Sequence, residues 1–287
     1  MKIEYFSNIS RAVPWLSVFL IFENHRFMEP LFTISHEKCI KCYKCVRGCP
    51  VKAIRVDNHT DYPSILPERC IGCGSCYTIC SPRAISYRSS LQDIRDLLAG
   101  NERVAAICDP TISGEFHDIT DYRKFVAMIK HMGFTYVGEV SFGVDLVAAK
   151  YRALFEDFKG RYYITANCPS VVSYIEKYHP RLISNLAPIV PPMVASARIV
   201  REKYGADTRV VFIGPCIAAK DEILKFEDES RIDAVMTFTE LRTLFEEFNI
   251  RESSVDFSEF DPPLGIRGSL HLISNGLPQA AAISEDL

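Results

Sequence analysis

Cys39-Ile-Lys-Cys42-Tyr-Lys-Cys45-Val-Arg-Gly-Cys49-Pro50 decides how this chain is read, because its spacing returns 31 residues later. The second copy is Cys70-Ile-Gly-Cys73-Gly-Ser-Cys76-Tyr-Thr-Ile-Cys80, and both run C-x2-C-x2-C-x3-C. A cubane [4Fe–4S] cluster needs four thiolates, and a tight loop with two residues between cysteines turns three of them toward one cluster. Zinc sites pair cysteines as C-x2-C…C-x2-C and have no use for a fourth in regular register. Eleven cysteines would suggest disulfides in a secreted protein, but thiolates that hold iron need a reducing compartment. The expectation is a cytoplasmic protein with two [4Fe–4S] clusters.

The double ladder resembles a two-cluster ferredoxin domain of the bacterial type, in which the fourth cysteine of each run serves the other cluster. By that resemblance Cys39, Cys42, Cys45 and Cys80 hold one cluster, and Cys70, Cys73, Cys76 and Cys49 the second. Gly48, Gly72 and Gly74 stand where the backbone must turn tightly and offer N–H groups to sulfur. Ala53-Ile-Arg-Val56 and Ala84-Ile-Ser-Tyr87 match after the two ladders and read as a pair of short strands. Ile40 and Ile71, each following the first cysteine of its ladder, read as apolar lids over the clusters. Between Thr33 and Arg88 there are nine Lys and Arg against four Asp and Glu. An oxidised cubane with four thiolates carries about −2, so these cations offset the clusters' own charge. Nothing in the pattern suggests nucleic acid.

A chain of 287 residues has room for this module and one larger domain. The division expected is an extension over residues 1–32, a ferredoxin domain over 33–90 and a second domain over 91–287. No function is assigned to the extension. Its apolar run Ala12–Phe22 is too short to span a bilayer and is interrupted by Pro14, and Met28 offers an alternative start. Beyond Leu91 the hydrophobic pattern alternates. Helices are expected over Leu91–Leu98, Tyr122–Met132, Ser170–Tyr178, Pro192–Tyr204 and Glu240–Phe248, with strands at Arg103–Pro110, Thr135–Val140, Tyr162–Ala166, Thr208–Ile213 and Asp233–Phe238. Such alternation argues for a parallel sheet covered on both faces. The fold class expected is therefore an α+β ferredoxin-like module followed by an α/β domain.

Two further cysteines are expected just past strand ends, where such domains place ligands: Cys168 in Thr165-Ala-Asn-Cys-Pro169 and Cys216 in Pro215-Cys-Ile-Ala-Ala-Lys-Asp-Glu222. Cys108 lies within an apolar strand and reads as core. At these motifs the chain resembles the active-site domain of the [FeFe]-hydrogenase large subunit, in its hydrogenase-like sensory branch. The resemblance implies that Cys168 and Cys216 are two of four ligands of a third [4Fe–4S] cluster, and that Asn167, Ala219, Lys220 and Glu222 line the cofactor pocket.

Departures from the family pattern matter as much. Hydrogenases place a proton-donating cysteine where this chain has Asn167, and an amide cannot exchange protons at neutral pH. The family lysine three residues past the second-motif cysteine is Ala219, and Lys220 beside it points elsewhere on a regular backbone. No third motif with two more cysteines occurs before Leu287, so the domain is expected to be truncated and the chain a fragment. The reading that follows is an electron-transfer and redox-sensing protein, not a catalyst by itself, whose partner is a redox protein or a downstream signalling domain. The alternatives are an electron-transfer subunit of a larger oxidoreductase and a fragment of an active hydrogenase.

Overall fold

In the computed structural model, residues 30–157, 160, 162–226 and 230–283 are described. The N-terminal apolar run and Met28 lie outside them. The small module holds β1 (Phe32–Ile34), α1 (Lys44–Gly48), β2 (Ile54–Val56), β3 (Pro63–Ile65), α2 (Ser75–Thr78) and β4 (Ile85–Tyr87). β1 pairs antiparallel with β4, and β2 with β3. The two matched segments that follow the ladders do not pair with each other, as the sequence reading had them. Each joins a strand of the opposite repeat, so the chain closes on itself about a pseudo-twofold.

That duplication extends to single hydrogen bonds. Ser35 N–H donates to the Ala84 carbonyl and Leu66 N–H to that of Ala53, both at 2.8 Å. Left-handed backbone recurs at the same ladder positions. Lys41 and Gly72 have φ of 53° and 72°, Tyr43 and Gly74 56° and 76°, and Lys52 and Arg83 52° and 51°. Four of these six positions are not glycine, and left-handed backbone costs a side-chain-bearing residue roughly 1–2 kcal/mol. The turn is therefore kept at some cost.

The larger domain is built on a parallel sheet of order β6-β5-β7-β8, from β5 (Val104–Cys108), β6 (Tyr136–Glu139), β7 (Arg209–Gly214) and β8 (Ala234–Thr237). Side chains alternate along each strand. Val104, Ala106, Cys108, Val211, Ile213 and Met236 enter a core with α3 (Leu91–Ala99), α5 (Tyr122–His131) and α10 (Phe238–Glu247); the short α4 spans Ile112–Glu115. Ala105, Ile107, Val210, Phe212 and Val235 enter the opposite core with α6 (Ser141–Glu156) and α8 (Pro192–Tyr204). Burial on both faces is why these strands read as continuous apolar runs. Cys108 is fully buried, as expected of core.

Two expectations fail here. Tyr162–Ala166 is not a sheet strand: it makes a single parallel bridge, Ile164 to Leu186, away from the central sheet. Its aromatic residues have the composition of a strand, yet Tyr162 is 81% exposed and has no core face to cover. Cys168 therefore does not follow a strand of the sheet. Helix α6, the longest of the described helices at 16 residues, went unpredicted because it is apolar on nearly every side and shows no clear 3.6 period. Its Gly143 lets it cross α8 closely, since a Cβ there would lie 2.5 Å from the Pro192 carbonyl oxygen.

The two units are joined by a buried knot. The Lys220 ammonium, 2% exposed, donates to Ser90 Oγ at 2.6 Å and to the Val235 carbonyl at 2.8 Å, and pairs with Glu240 at 3.0 Å. Glu240 also accepts the N–H groups of Ser90 and Thr237, each at 2.8 Å, the latter as half of a capping box on α10. Arg88 donates to the Lys220 carbonyl and to Asp221, and Tyr87 meets Thr237, all at 2.8 Å. Removing one partner of a buried pair strands the other charge. Lys220→Met is accordingly expected to cost about 3–5 kcal/mol of unfolding free energy in anaerobic denaturant titrations. Lys220→Met combined with Glu240→Gln should recover part of that loss; a single variant as stable as the parent would contradict the assignment.

Candidate iron–sulfur site

All eleven cysteines are free thiols. Cys45, Cys49 and Cys76 are buried, Cys39, Cys42, Cys70 and Cys80 half-buried, and Cys73 exposed. Burial pushes the thiol of Cys76 up to about 12, and the neighbouring Cys70, Cys73 and Cys49 add repulsion. Burial also raises Cys70, with Cys73 and Cys49 adding repulsion while Lys177 draws it down. Cys45 is raised by burial too, with Cys39 and Cys42 as its charged neighbours. Cys49, from the first ladder, is thus a neighbour of Cys70 and Cys76 in the second.

Backbone donors address these sulfurs. Ala53 N–H donates to Cys49 Sγ and Ala84 N–H to Cys80 Sγ, both at 3.2 Å, so the two repeats agree again. Gly72 N–H donates to Cys70 Sγ at 3.5 Å. Donors held toward sulfur stabilise thiolates and the negative charge of a cluster. No three His, Cys, Asp or Glu side chains among the described residues close on a single metal ion. A cubane does not ask them to, because each thiolate binds its own iron at a separate corner. The donor set and its N–H groups fit two cubanes.

Cys168, exposed, is the residue before α7 (Pro169–Tyr178), with Pro169 at the helix start. Cys216 is half-buried just before the short α9 (Ala219–Glu222), and its sulfur accepts from the N–H groups of Ala218 and Ala219. Burial raises its thiol, and repulsion from Cys168 adds to the shift. Asn167, next to Cys168 in the chain, has a buried Oδ1 with no hydrogen-bond partner among the described residues. The other three expected pocket residues turn inward. Ala219 is 1% exposed in the core under the sheet, and the Lys220 ammonium is committed to Ser90, Val235 and Glu240. Lys220 was expected among the pocket residues, and its ammonium is instead held by Ser90, Val235 and Glu240.

The second ladder packs directly on the Cys216 loop. A Cβ at Gly72 would lie 3.0 Å from Ala218 Cβ and 3.2 Å from Leu31, and one at Gly74 would lie 3.5 Å from Ile217. Helix α7 closes the same contact from the other side. Lys177 donates to the carbonyls of Pro67 and Cys70, and Tyr178 OH donates to those of Val51 and Arg69. One helix thus has Cys168 at its start and grips the second ladder at its end. The sequence offered no local signal for this contact, since it joins residues more than 100 apart.

Glu222 is buried, and that burial lifts its carboxyl to about 8, with Lys225 drawing it down and Glu176 raising it further. Lys225 is itself paired with Glu176 at 2.7 Å. A carboxyl whose folded pKa exceeds its unfolded value favours the fold while protonated, so stability falls as pH rises from about 5 to 8. Melting profiles over that range should show Glu222→Gln losing much of this pH dependence and exceeding the parent at pH 8. Parallel profiles would refute a buried neutral carboxyl.

Comparison with known proteins places these features. Residues 102–283 match the family model described as iron-only hydrogenase large subunit, C-terminal domain, and residues 38–90 match a 4Fe–4S dicluster domain. The chain is 24% identical to Iron hydrogenase 1 of Clostridium pasteurianum, over 87% of this chain and 50% of that protein. It is 27% identical to the periplasmic [Fe] hydrogenase large subunit of Nitratidesulfovibrio vulgaris, over 53% of this chain and 39% of that one. The chain thus spans half or less of the curated relatives it matches. Among solved structures, an [FeFe]-hydrogenase studied for stepwise assembly of its H-cluster superposes with a TM-score of 0.57 at 24% identity, covering 68% of this chain and 56% of that one. A variant of an [FeFe]-hydrogenase from Chlamydomonas reinhardtii gives 0.57 at 23%, covering 68% and 57%. With a four-stranded parallel sheet and a duplicated cysteine module docked on the Cys216 loop, the chain belongs to the family of iron-only hydrogenase large subunits, through their C-terminal domain.

Proposed function

We propose that this chain is an iron–sulfur electron-transfer and redox-sensing protein whose hydrogenase-like domain does not by itself turn over hydrogen. Cys39, Cys42, Cys45 and Cys80 would hold one [4Fe–4S] cluster and Cys70, Cys73, Cys76 and Cys49 the second, within a domain over residues 33–90. Cubanes at these positions supply one-electron reduction and oxidation. The chain's own residues shield them, donate N–H groups to their sulfurs and set the path between them. The observation that carries this reading is the packing of Gly72 on Ala218, two residues from Cys216. It puts the second ladder against the loop of the third cysteine pair, so that an electron leaving the module meets that loop first.

The domain over 91–287 is read as a receiver. Asn167 stands next to Cys168 where the family places a proton-donating cysteine, and its buried amide oxygen accepts no hydrogen bond among the described residues. Without a positioned acid, proton transfer is slower by about 10²–10⁴-fold. Cys168 and Cys216 would be two ligands of a third cluster that needs two more. The signal would pass to a redox partner protein or a downstream signalling domain, in the cytoplasm, where free thiols are kept reduced. No helix among the described residues is long and apolar enough to cross a membrane. The same ladder-to-loop packing also suits an electron-transfer subunit of a larger oxidoreductase, which is the second reading.

Anaerobically purified full chain should contain about eight irons, two cubanes' worth, and keep them in the Cys168→Ser, Cys216→Ser double variant. Zinc in place of iron, or about four irons, would overturn the two-cluster assignment. After loading with a synthetic diiron cofactor, hydrogen evolution from reduced viologen should stay at background. Turnover comparable to an active hydrogenase would remove the non-catalytic reading.

A further inference from the structure

The duplicated module has two quasi-equivalent outer faces, and among the described residues only one of them meets the larger domain. On the second ladder, Gly72, Ser75 and Thr78 occupy the positions that are Lys41, Lys44 and Arg47 on the first. Gly72 is buried against Ala218, and Lys177 and Tyr178 bind the carbonyls around Cys70. The equivalent face of the first ladder meets no part of the larger domain in any hydrogen bond or ion pair among the described residues. Lys38, Lys44 and Arg47 are exposed and Lys41 half-buried, and none has a carboxylate partner among the described residues. The Lys41 amine reaches Thr60 O at 3.0 Å and lies over the Tyr62 ring, 4.2 Å from its centroid, and the Lys44 amine reaches Ser81 Oγ at 3.0 Å. Arg47 reaches the Cys42 carbonyl at 3.2 Å. Among these cations stands Ile40, 68% exposed, while its counterpart Ile71 packs into the module's core.

An exposed aliphatic side chain within a rim of unneutralised cations has the composition of a transient docking surface, with an apolar centre and charges that steer a partner. We propose that Lys38, Ile40, Lys41, Lys44 and Arg47 form the docking surface for a small acidic one-electron carrier, one that presents carboxylates around its own redox group. This rests on the two-cluster reading above. With a cubane held by the first-ladder cysteines, the reduced carrier would give up one electron and that cubane would take it up, with no bond made or broken and no proton moved. The cations serve twice: they draw the carrier in, and they offset the additional negative charge of the reduced cluster. Cations used only to balance the clusters would be spread over both ladders. The concentration of lysine and arginine on the undocked copy is what assigns them a partner.

The test measures binding, so its outcome is independent of whether electrons move. Dye-labelled flavodoxin, an acidic one-electron carrier, is titrated with the anaerobically purified full chain and followed by fluorescence anisotropy. Affinity should fall at least about tenfold between about 20 and 200 mM salt, as screening shortens the reach of the surface charges. The Lys38→Glu, Lys44→Glu double variant should bind at least about tenfold more weakly, with a flatter salt dependence and unchanged iron content. Arg152→Glu with Arg181→Glu, which changes net charge equally on the larger domain, should bind like the parent. Cytochrome c, a basic carrier, should not bind. Absence of flavodoxin binding at low salt, equal weakening by the two double variants, or binding of cytochrome c would overturn the proposal. Iron analysis of the same samples reports separately on the two-cluster reading.

Discussion

A lysine ammonium with almost no access to water, held by a carboxylate, a serine hydroxyl and a backbone carbonyl, fixes the relation between the two parts of this protein. Lys220 belongs to the loop that begins at Cys216, Ser90 to the segment that leaves the module, and Glu240 to the helix after the last sheet strand. Burial lowers the lysine's pKa and Glu240 works against that shift. A pair so placed gives little net stability compared with an apolar replacement, but it tolerates few other arrangements, because every unmet partner would be a stranded polar group. What the pair provides is position. It sets where the Cys216 loop sits relative to the second ladder, and the contact through Gly72 follows from that.

The module shows a different economy. Its two halves agree in backbone hydrogen bonds and in left-handed residues, yet their surfaces have diverged. The half that meets the larger domain has glycines where close approach is needed, and the other half carries lysine and tyrosine at the same dihedral angles. The backbone fold is therefore set by the ladder geometry, and the side chains by what each face touches.

Much of this was legible from sequence for a local reason. Cysteine spacing is a short-range property of a loop, so both ladders and their 31-residue repeat could be read directly. Strands β5, β7 and β8 were legible because burial on both faces leaves an unbroken apolar run. Other features depend on distant partners and left no trace. Which strand pairs with which in the module is decided by closure of the duplicated chain, not by either strand. Tyr162–Ala166 has strand-like residues but no sheet edge to join, and α6 is buried on too many sides to show a period. The destination of Lys220 turned on Ser90 and Glu240, 130 residues before and 20 after it. At the third cysteine pair the motifs showed where to look, while the bond-less amide oxygen of Asn167 emerged only from the packing.

The close fit of Gly72, Leu31 and Ala218 makes the two-cluster unit a poor candidate for transplantation. Detached, it would present Gly72 and Gly74 to water where Ala218 and Ile217 now meet them, and the carbonyls of Pro67 and Cys70 would lose their lysine donor on α7. Grafted onto another host, it would need a surface with a methyl-sized residue at one defined point. Any change at position 218 beyond alanine would be felt at the second ladder before it reached Cys216. The two units are thus bound to drift together, and a substitution in the loop of one is a substitution in the environment of the other.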